Sequence, residues 1–372
     1  VIQVVITFLF NTTAMTIQAY ERFVFIRLCL IIACVLQPCI NLLLLYHGGN
    51  VVTISVATLV ISFLTYVVYY CYAKKVLDLK YKFDNFDKNL FKNIFVFSAF
   101  LFLNTITDQL TFSTDNIILG IFSGSIMVAI YSVGSNFKNY FMAFSTSASS
   151  VFAPKINKII AESGSDDETN EIFIRIGRIQ FYIVTLILLG YIFLGRQFVY
   201  LWVGNEYSDA YWIGLLLMIS VYVPCFQNIG LEIQKAKNMH KARSVVYFLI
   251  AIVNIIITIP LSLLYGGIGA SFATCLCMFI GTVIFMNIYN YKKVGIDIPA
   301  FWKSIFRILP GMIIPIVYGV FINCFININS YWNLLFVILG FVLVYFLSCW
   351  FFSMNHYEKD IFSKPLKRFL KK

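Results

Sequence analysis

The chain has 372 residues, 60% of them hydrophobic and 12% charged, with a net charge of +11 and a mean hydropathy of +0.84. Ordinary soluble domains carry about a quarter charged residues, so that class is excluded. No alternation in segments of about ten residues marks a transmembrane barrel, which leaves an all-α polytopic membrane protein.

Apolar runs long enough to cross about 30 Å of hydrocarbon, at about 1.5 Å per residue, predict about eleven spans. They fall near 1–20, 24–46, 50–73, 93–115, 125–153, 176–201, 209–232, 244–264, 268–290, 305–326 and 331–352. The chain begins at Val1 inside an apolar run with no cleavable signal peptide evident, and reads as a fragment. Pro224, Pro260, Pro310 and Pro315 are available to kink the longer spans. Cys29, Cys34, Cys39, Cys71, Cys225, Cys275, Cys277, Cys324 and Cys349 lack metal-type spacing and are expected to be buried thiols.

The basic residues alternate between loops. Arg22 and Arg27 follow the first span, and Lys74 to Lys92 follow the third. Lys155 to Arg178 follow the fifth, Lys235 to Arg243 the seventh, and Lys292 to Arg307 the ninth. The tail holds Lys359 to Lys372, whereas the loops near 47–50, 122–125, 265–269 and 327–330 hold no Lys or Arg. Of 28 basic residues, Lys138 and Arg196 alone break the pattern. The positive-inside rule then places the basic loops and the C-terminus in the cytoplasm. The net charge reports this orientation, with anionic membrane lipid as its surface partner and no nucleic acid.

Between Phe91 and Phe152, two spans carry Asp108, Asp115 and Lys138. A charge at the bilayer centre costs about 2.5–3.5 kcal/mol, so such residues face a partner or a watery cavity. Asn104, Asp108, Thr111 and Asp115 share one helical face, a polar stripe suited to a cavity wall.

The chain also repeats itself. Gly48-Gly49 and Gly266-Gly267 lie 218 residues apart, as do Lys74-Lys75-Val76 and Lys292-Lys293-Val294. Phe10 with Ile17-Gln18 matches Phe226 with Ile233-Gln234 at an offset of 216. Six spans separate the copies, so both copies have the same orientation, the plan of a transporter with its site between two lobes. The expected division is 1–76 for the last three helices of a first six-helix lobe and 77–92 for a basic cytoplasmic inter-lobe loop. A second six-helix lobe follows at 93–293, two additional helices at 294–352 and a basic cytoplasmic tail at 353–372. The first lobe is truncated, and an intact relative would hold about fourteen spans.

Five stretches resemble a known family: TDNIILGIFSGSIMVAIYSVGSNF (114–137), VFAPKINKI (151–159), LWVGNEYSDAY (201–211), IQKAKNMHKAR (233–243) and YGGIGASFAT (265–274). The sequence is similar to the polysaccharide flippases of the bacterial O-antigen and capsule type, within the multidrug/oligosaccharidyl-lipid/polysaccharide exporter superfamily. The resemblance covers nearly the whole chain, but its motifs are mostly structural. It implies two lobes around a cavity that opens alternately inward and outward in the bacterial cytoplasmic (inner) membrane. The implied cargo is an oligosaccharide on a polyprenyl-diphosphate carrier. Glycosyltransferases and the polymerase of the same pathway are further partners, and no cofactor is expected. The missing first helices are a departure from the family pattern.

A diphosphate calls for Lys or Arg in the cavity. Lys138 is the mid-membrane candidate, its alternative being an ion pair with Asp108 or Asp115. Arg175 and Arg178 are candidates at the cytoplasmic mouth, with pairing to Glu171 or lipid phosphate as the alternative, and Asn104 is a candidate glycan contact. Asp108 is the first candidate proton or sodium carrier and Asp115 the second; Asp115, nearer the outer end, equally suits helix capping or a pair with Arg196. Ser145, Thr146, Ser147, Ser149 and Ser150 suit tight helix packing. Trp202, Tyr207, Tyr211 and Trp212 suit an interfacial belt, and Asp166–Glu168 a solvated loop tip. A multidrug antiporter of the same superfamily is the first rival, although Lys138 argues for anionic cargo. A membrane glycosyltransferase or polymerase would want acidic groups or His on a large outer loop. The outer loops are short, His47, His240 and His356 lie apart, and no P-loop is present, so an enzyme is disfavoured.

Overall fold

The computed structural model describes residues 2–20, 22–78, 88–150, 166–237, 239, 241–326, 328 and 330–360, and within the helices some side chains, including those of Asn104, Asp108 and Thr111, lie outside the described residues. The chain divides into two compact units, Val1–Ile94 and Phe95–Lys372. Among the described residues there is no strand.

The first unit holds α1 (Ile2–Ala19), α2 (Phe23–Tyr46) and α3 (Val51–Lys75). Asn50, just before α3, donates its backbone N–H to Thr53 Oγ1 at 3.3 Å, half of a capping box. The small core of this unit is Ile17, Tyr69 and Ala73, and α2 buries none of its residues. A helix this apolar, interrupted only by Arg27, Gln37 and Asn41, with nothing buried has the composition of one that meets lipid over most of its surface. The same physics corrects the expectation for the cysteines. All nine are free thiols, but Cys34, Cys39, Cys71 and Cys324 are exposed, because in hydrocarbon an apolar side chain needs no protein cover.

The α4 helix (Lys88–Phe122) leads into the second unit, which continues with α5 (Gly124–Ser150), α6 (Asp166–Val203), α7 (Asp209–Phe226) and α8 (Ile229–Ala236). The α9 helix (Lys241–Met278) is extended by π-helical turns to Val294, before α10 (Ile298–Phe306), α11 (Ile313–Phe325) and α12 (Tyr331–Phe352). A helix or helical arm therefore stands at each predicted span. By length and apolarity, six of the described helical stretches qualify as membrane spans. Counting the bent pair Ile298–Phe306 and Leu309–Phe325 as one span makes seven.

One qualifying stretch, Val245–Val294, is a hairpin. Gly266 takes φ 57 and ψ −135, outside helical geometry, and Asn254 Nδ2 reaches Thr274 Oγ1 at 3.2 Å. Twenty residues of straight helix would hold those atoms about 30 Å apart. Gly48, the counterpart of Gly266 in the sequence repeat, also has a positive φ of 79.

The core of the second unit gathers around α6 and α7. Gly134 of α5 lets the helices approach: a Cβ there would lie 2.7 Å from Ile213 Cγ2 and 3.0 Å from the Ala210 carbonyl oxygen. Ser145 Oγ donates to the Cys225 carbonyl at 2.5 Å, joining α5 to α7 as a packing serine should. Asp166 to Glu168 form the first turn of α6 and not a loop tip, where carboxylates favour the helix dipole. Lys237 Nζ donates to Asp166 Oδ1 at 2.6 Å.

Candidate functional site

A polar centre lies buried among apolar helices of the second unit. The α4 helix supplies Asp115, 1% exposed. Tyr131 on α5 donates to Asp115 Oδ2 at 2.5 Å, and Thr274 Oγ1, from the returning arm of α9, donates to the same oxygen at 2.9 Å. Asn254 on the outgoing arm donates to Thr274 at 3.2 Å, and Thr258, one turn on, donates to Asn254 Oδ1 at 3.3 Å. Three helical segments and a hairpin turn are thus tied through one carboxylate oxygen. Oδ1, the other, is buried and without a hydrogen-bond partner among the described residues.

Lys138 lies two turns beyond Tyr131 on α5 and, like Asp115, is buried, at 4% exposed. A buried charge survives in a low-dielectric interior only when compensated, so these two residues need each other or ligands. A buried carboxylate attracts a cation and a buried ammonium an anion, so Asp115 and Lys138 give the centre one group of each sign.

Sequence reasoning placed Asp115 at the outer end, capping a helix or pairing with Arg196. The structure corrects this: Arg196 is exposed, while Asp115 is buried against Tyr131 and Thr274. Asn104 and Asp108, the other proposed members of the stripe, lie outside the described residues. Tyr131, Asn254, Thr258 and Thr274 were not singled out. The available signal was Asn254 with Thr258, polar residues four apart in mid-span.

The two arginines of α6 part company. Arg175 is half exposed, ion-paired with Glu171, and lies over the Tyr357 ring at 5.0 Å. Arg178 is buried and fully committed. Its Nε donates to Glu358 Oε1 at 2.5 Å and Nη2 to Glu358 Oε2 at 3.0 Å. Nη1 donates to the Ser304 carbonyl at 2.8 Å and to Ser304 Oγ at 3.2 Å, and Nη2 to the Ser353 carbonyl at 3.3 Å. Five N–H donors are spent on these acceptors, which leaves none for a diphosphate. Among the described residues, no three His, Cys, Asp or Glu side chains group to hold a metal ion.

A family model described as "Polysaccharide biosynthesis protein" matches residues 1–211, more than half of the chain. The chain belongs to that family. Among solved structures, one described as "Lipid II flippase MurJ, inward closed conformation" is 18% identical with a TM-score of 0.71. The match covers 98% of this chain and 73% of that one, and it establishes a common fold. No curated protein matches the sequence.

Proposed function

We propose that the chain carries a polyprenyl-diphosphate-linked oligosaccharide from the inner to the outer leaflet of the bacterial cytoplasmic membrane by alternating access. The product would serve surface polysaccharide: O-antigen, capsule or exopolysaccharide. The observation that carries this reading is a buried pair of opposite charges, Asp115 and Lys138, in the spans of a polysaccharide biosynthesis protein. Lys138 supplies the cation that a diphosphate needs, and Asp115, with one oxygen open, supplies a coupling site for a proton or sodium ion. Arg175, half exposed on α6, receives the headgroup at the cytoplasmic mouth, whereas Arg178 serves as an internal tie. When the phosphate reaches Lys138, the carboxylate loses its counter-charge and takes up its ion, so cargo and ion are exchanged in one cycle. In this reading, 1–76 closes a first six-helix lobe, 93–293 is the second, and the basic loops and C-terminus are cytoplasmic.

The test uses the complete gene in a bacterial strain deleted for its flippase, with wild type, Lys138→Ala and Asp115→Asn at matched membrane levels. Surface polysaccharide restored by wild type and lost in Lys138→Ala supports the reading. No restoration, with resistance to cationic dyes instead, transfers the chain to the multidrug antiporters. Full activity in both variants makes the buried charges structural.

A further inference from the structure

The two units carry one polar frame at one register, closed in the second and open in the first. In the second unit Gln234 Nε2 donates to Asn290 Oδ1 at 2.5 Å and Gln227 Nε2 to Asn287 Oδ1 at 2.9 Å. Gln227, Gln234, Asn290 and Arg243 border a gap of only about 30 Å³. Its amides pair with one another, and Gln234 Oε1 alone among them is buried without a partner among the described residues.

The repeat offsets carry Gln227, Gln234 and Arg243 onto Asn11, Gln18 and Arg27, and carry Asn287 and Asn290 onto Tyr69 and Tyr72. Asn11, Gln18, Arg27 and Tyr69 all line one cavity of about 360 Å³ between α1, α2 and α3. The two amide acceptors that close the second frame are here tyrosines. Tyr72 stacks on Phe25 with ring centroids 3.7 Å apart, and Tyr69 is 4% exposed with its hydroxyl lacking any hydrogen-bond partner among the described residues. A buried hydroxyl without a partner is costly, so the cavity is built around a missing acceptor. The described lining holds one cation, Arg27, and no Asp or Glu.

We infer that the first-unit cavity binds a phosphate group, held by the Arg27 guanidinium at its mouth and the Tyr69 hydroxyl in its wall. Asn11 and Gln18 offer amide donors beside them, and charge-assisted bonds from a planar guanidinium suit phosphate oxygens. The phosphate comes either from an anionic phospholipid headgroup or from a polyprenyl phosphate. This site is separate from Asp115 and Lys138, so it stands or falls independently of the transport reading.

The experiment uses the full chain in phosphatidylcholine nanodiscs, titrated with phosphatidylglycerol and, separately, with undecaprenyl phosphate. Saturable binding is expected, weakened about tenfold by Arg27→Gln, as for loss of a hydrogen bond to a charged group. Tyr69→Phe keeps the ring that packs against Tyr66 and Phe25, and weakens binding several-fold. Arg243→Gln, in the closed copy, leaves binding unchanged. Binding of phosphatidylglycerol alone assigns a phospholipid, and binding of undecaprenyl phosphate alone assigns the carrier; each supports the site when Arg27→Gln weakens it. Binding of neither lipid, equal binding by Arg27→Gln and Tyr69→Phe, or an equal loss in Arg243→Gln overturns it. Phosphate bound here by a chain that restores no polysaccharide would sink the transport reading alone.

Discussion

Tyr131 of α5 donates its hydroxyl to Asp115 Oδ2 of α4 at 2.5 Å, an interaction between neighbouring helices of one buried centre. Thr274 shares the same oxygen at 2.9 Å, so the carboxylate is positioned by hydroxyls, while the opposite charge buried on the next helix is that of Lys138. Positioning and charge are therefore separable by mutation.

Tyr131→Phe keeps the ring and removes the donor. Leaving a buried carboxylate short of one hydrogen bond should cost about 1–3 kcal/mol. A lowered unfolding midpoint in detergent, with little change in the level of protein reaching the membrane, is the expected result.

Asp115→Asn keeps an acceptor for Tyr131 and Thr274 but abolishes the charge. Leaving the buried Lys138 ammonium without its counter-charge should destabilise the variant by about 3–5 kcal/mol, and the protein that still reaches the membrane should fail to restore surface polysaccharide. A variant that folds and also transports would remove Asp115 from any coupling role.

Arg178 and Glu358 form a buried ion pair that fastens the segment after α12 to α6. Removing one partner strands a charge, so Arg178→Ala or Glu358→Ala should each destabilise by about 3–5 kcal/mol. The double variant should lose clearly less than the sum, measured by a thermal double-mutant cycle. Arg178→Lys should rescue poorly, because an ammonium cannot serve Glu358, Ser304 and Ser353 together.

Gly134→Ala tests the approach of α5 to α7. Its methyl would meet Ile213 Cγ2 at 2.7 Å and the Ala210 carbonyl at 3.0 Å, an overpacking cost of about 1–3 kcal/mol. Ile213→Ala in the same chain should return part of that loss in the unfolding midpoint, since it withdraws the nearer of the two obstacles.

Gly266→Ala probes the hairpin turn. At φ 57 a Cβ is strained by about 1–3 kcal/mol, and Met127 Cε would lie 3.2 Å away. The same change at Gly190, a helical position where a Cβ meets nothing within 4 Å, is the control and should leave the unfolding midpoint unlowered.

Much of the architecture was legible from hydropathy. Runs such as 331–352 had no alternative to a spanning helix, and Tyr331–Phe352 is one. The paired glycines marked a turn at 266 for a local reason, the left-handed backbone that only glycine adopts freely. Burial was not legible in the same way. Cys34 and Cys225 sit in equally apolar runs, yet one is exposed and the other buried, because lipid and protein interior solvate a thiol alike. Arg178 read as a mouth residue beside Arg175, three positions away. What separates them is Glu358, 180 residues later, which no local pattern connects to α6.

By itself the amino-acid sequence determined which segments become helices, where the chain turns between them, and that a few ionisable groups would be carried into the apolar bundle. These follow from backbone hydrogen bonding, which in hydrocarbon must be satisfied within each segment and so depends on local composition. Only the tertiary structure decided which polar groups meet: Asp115 with Thr274, 159 residues apart, and a Tyr69 hydroxyl left, among the described residues, without the partner that its counterpart in the repeat has. Those meetings depend on the rotation and approach of whole helices, set by long-range packing at contacts such as Gly134 against Ile213, and that information is spread over the entire chain.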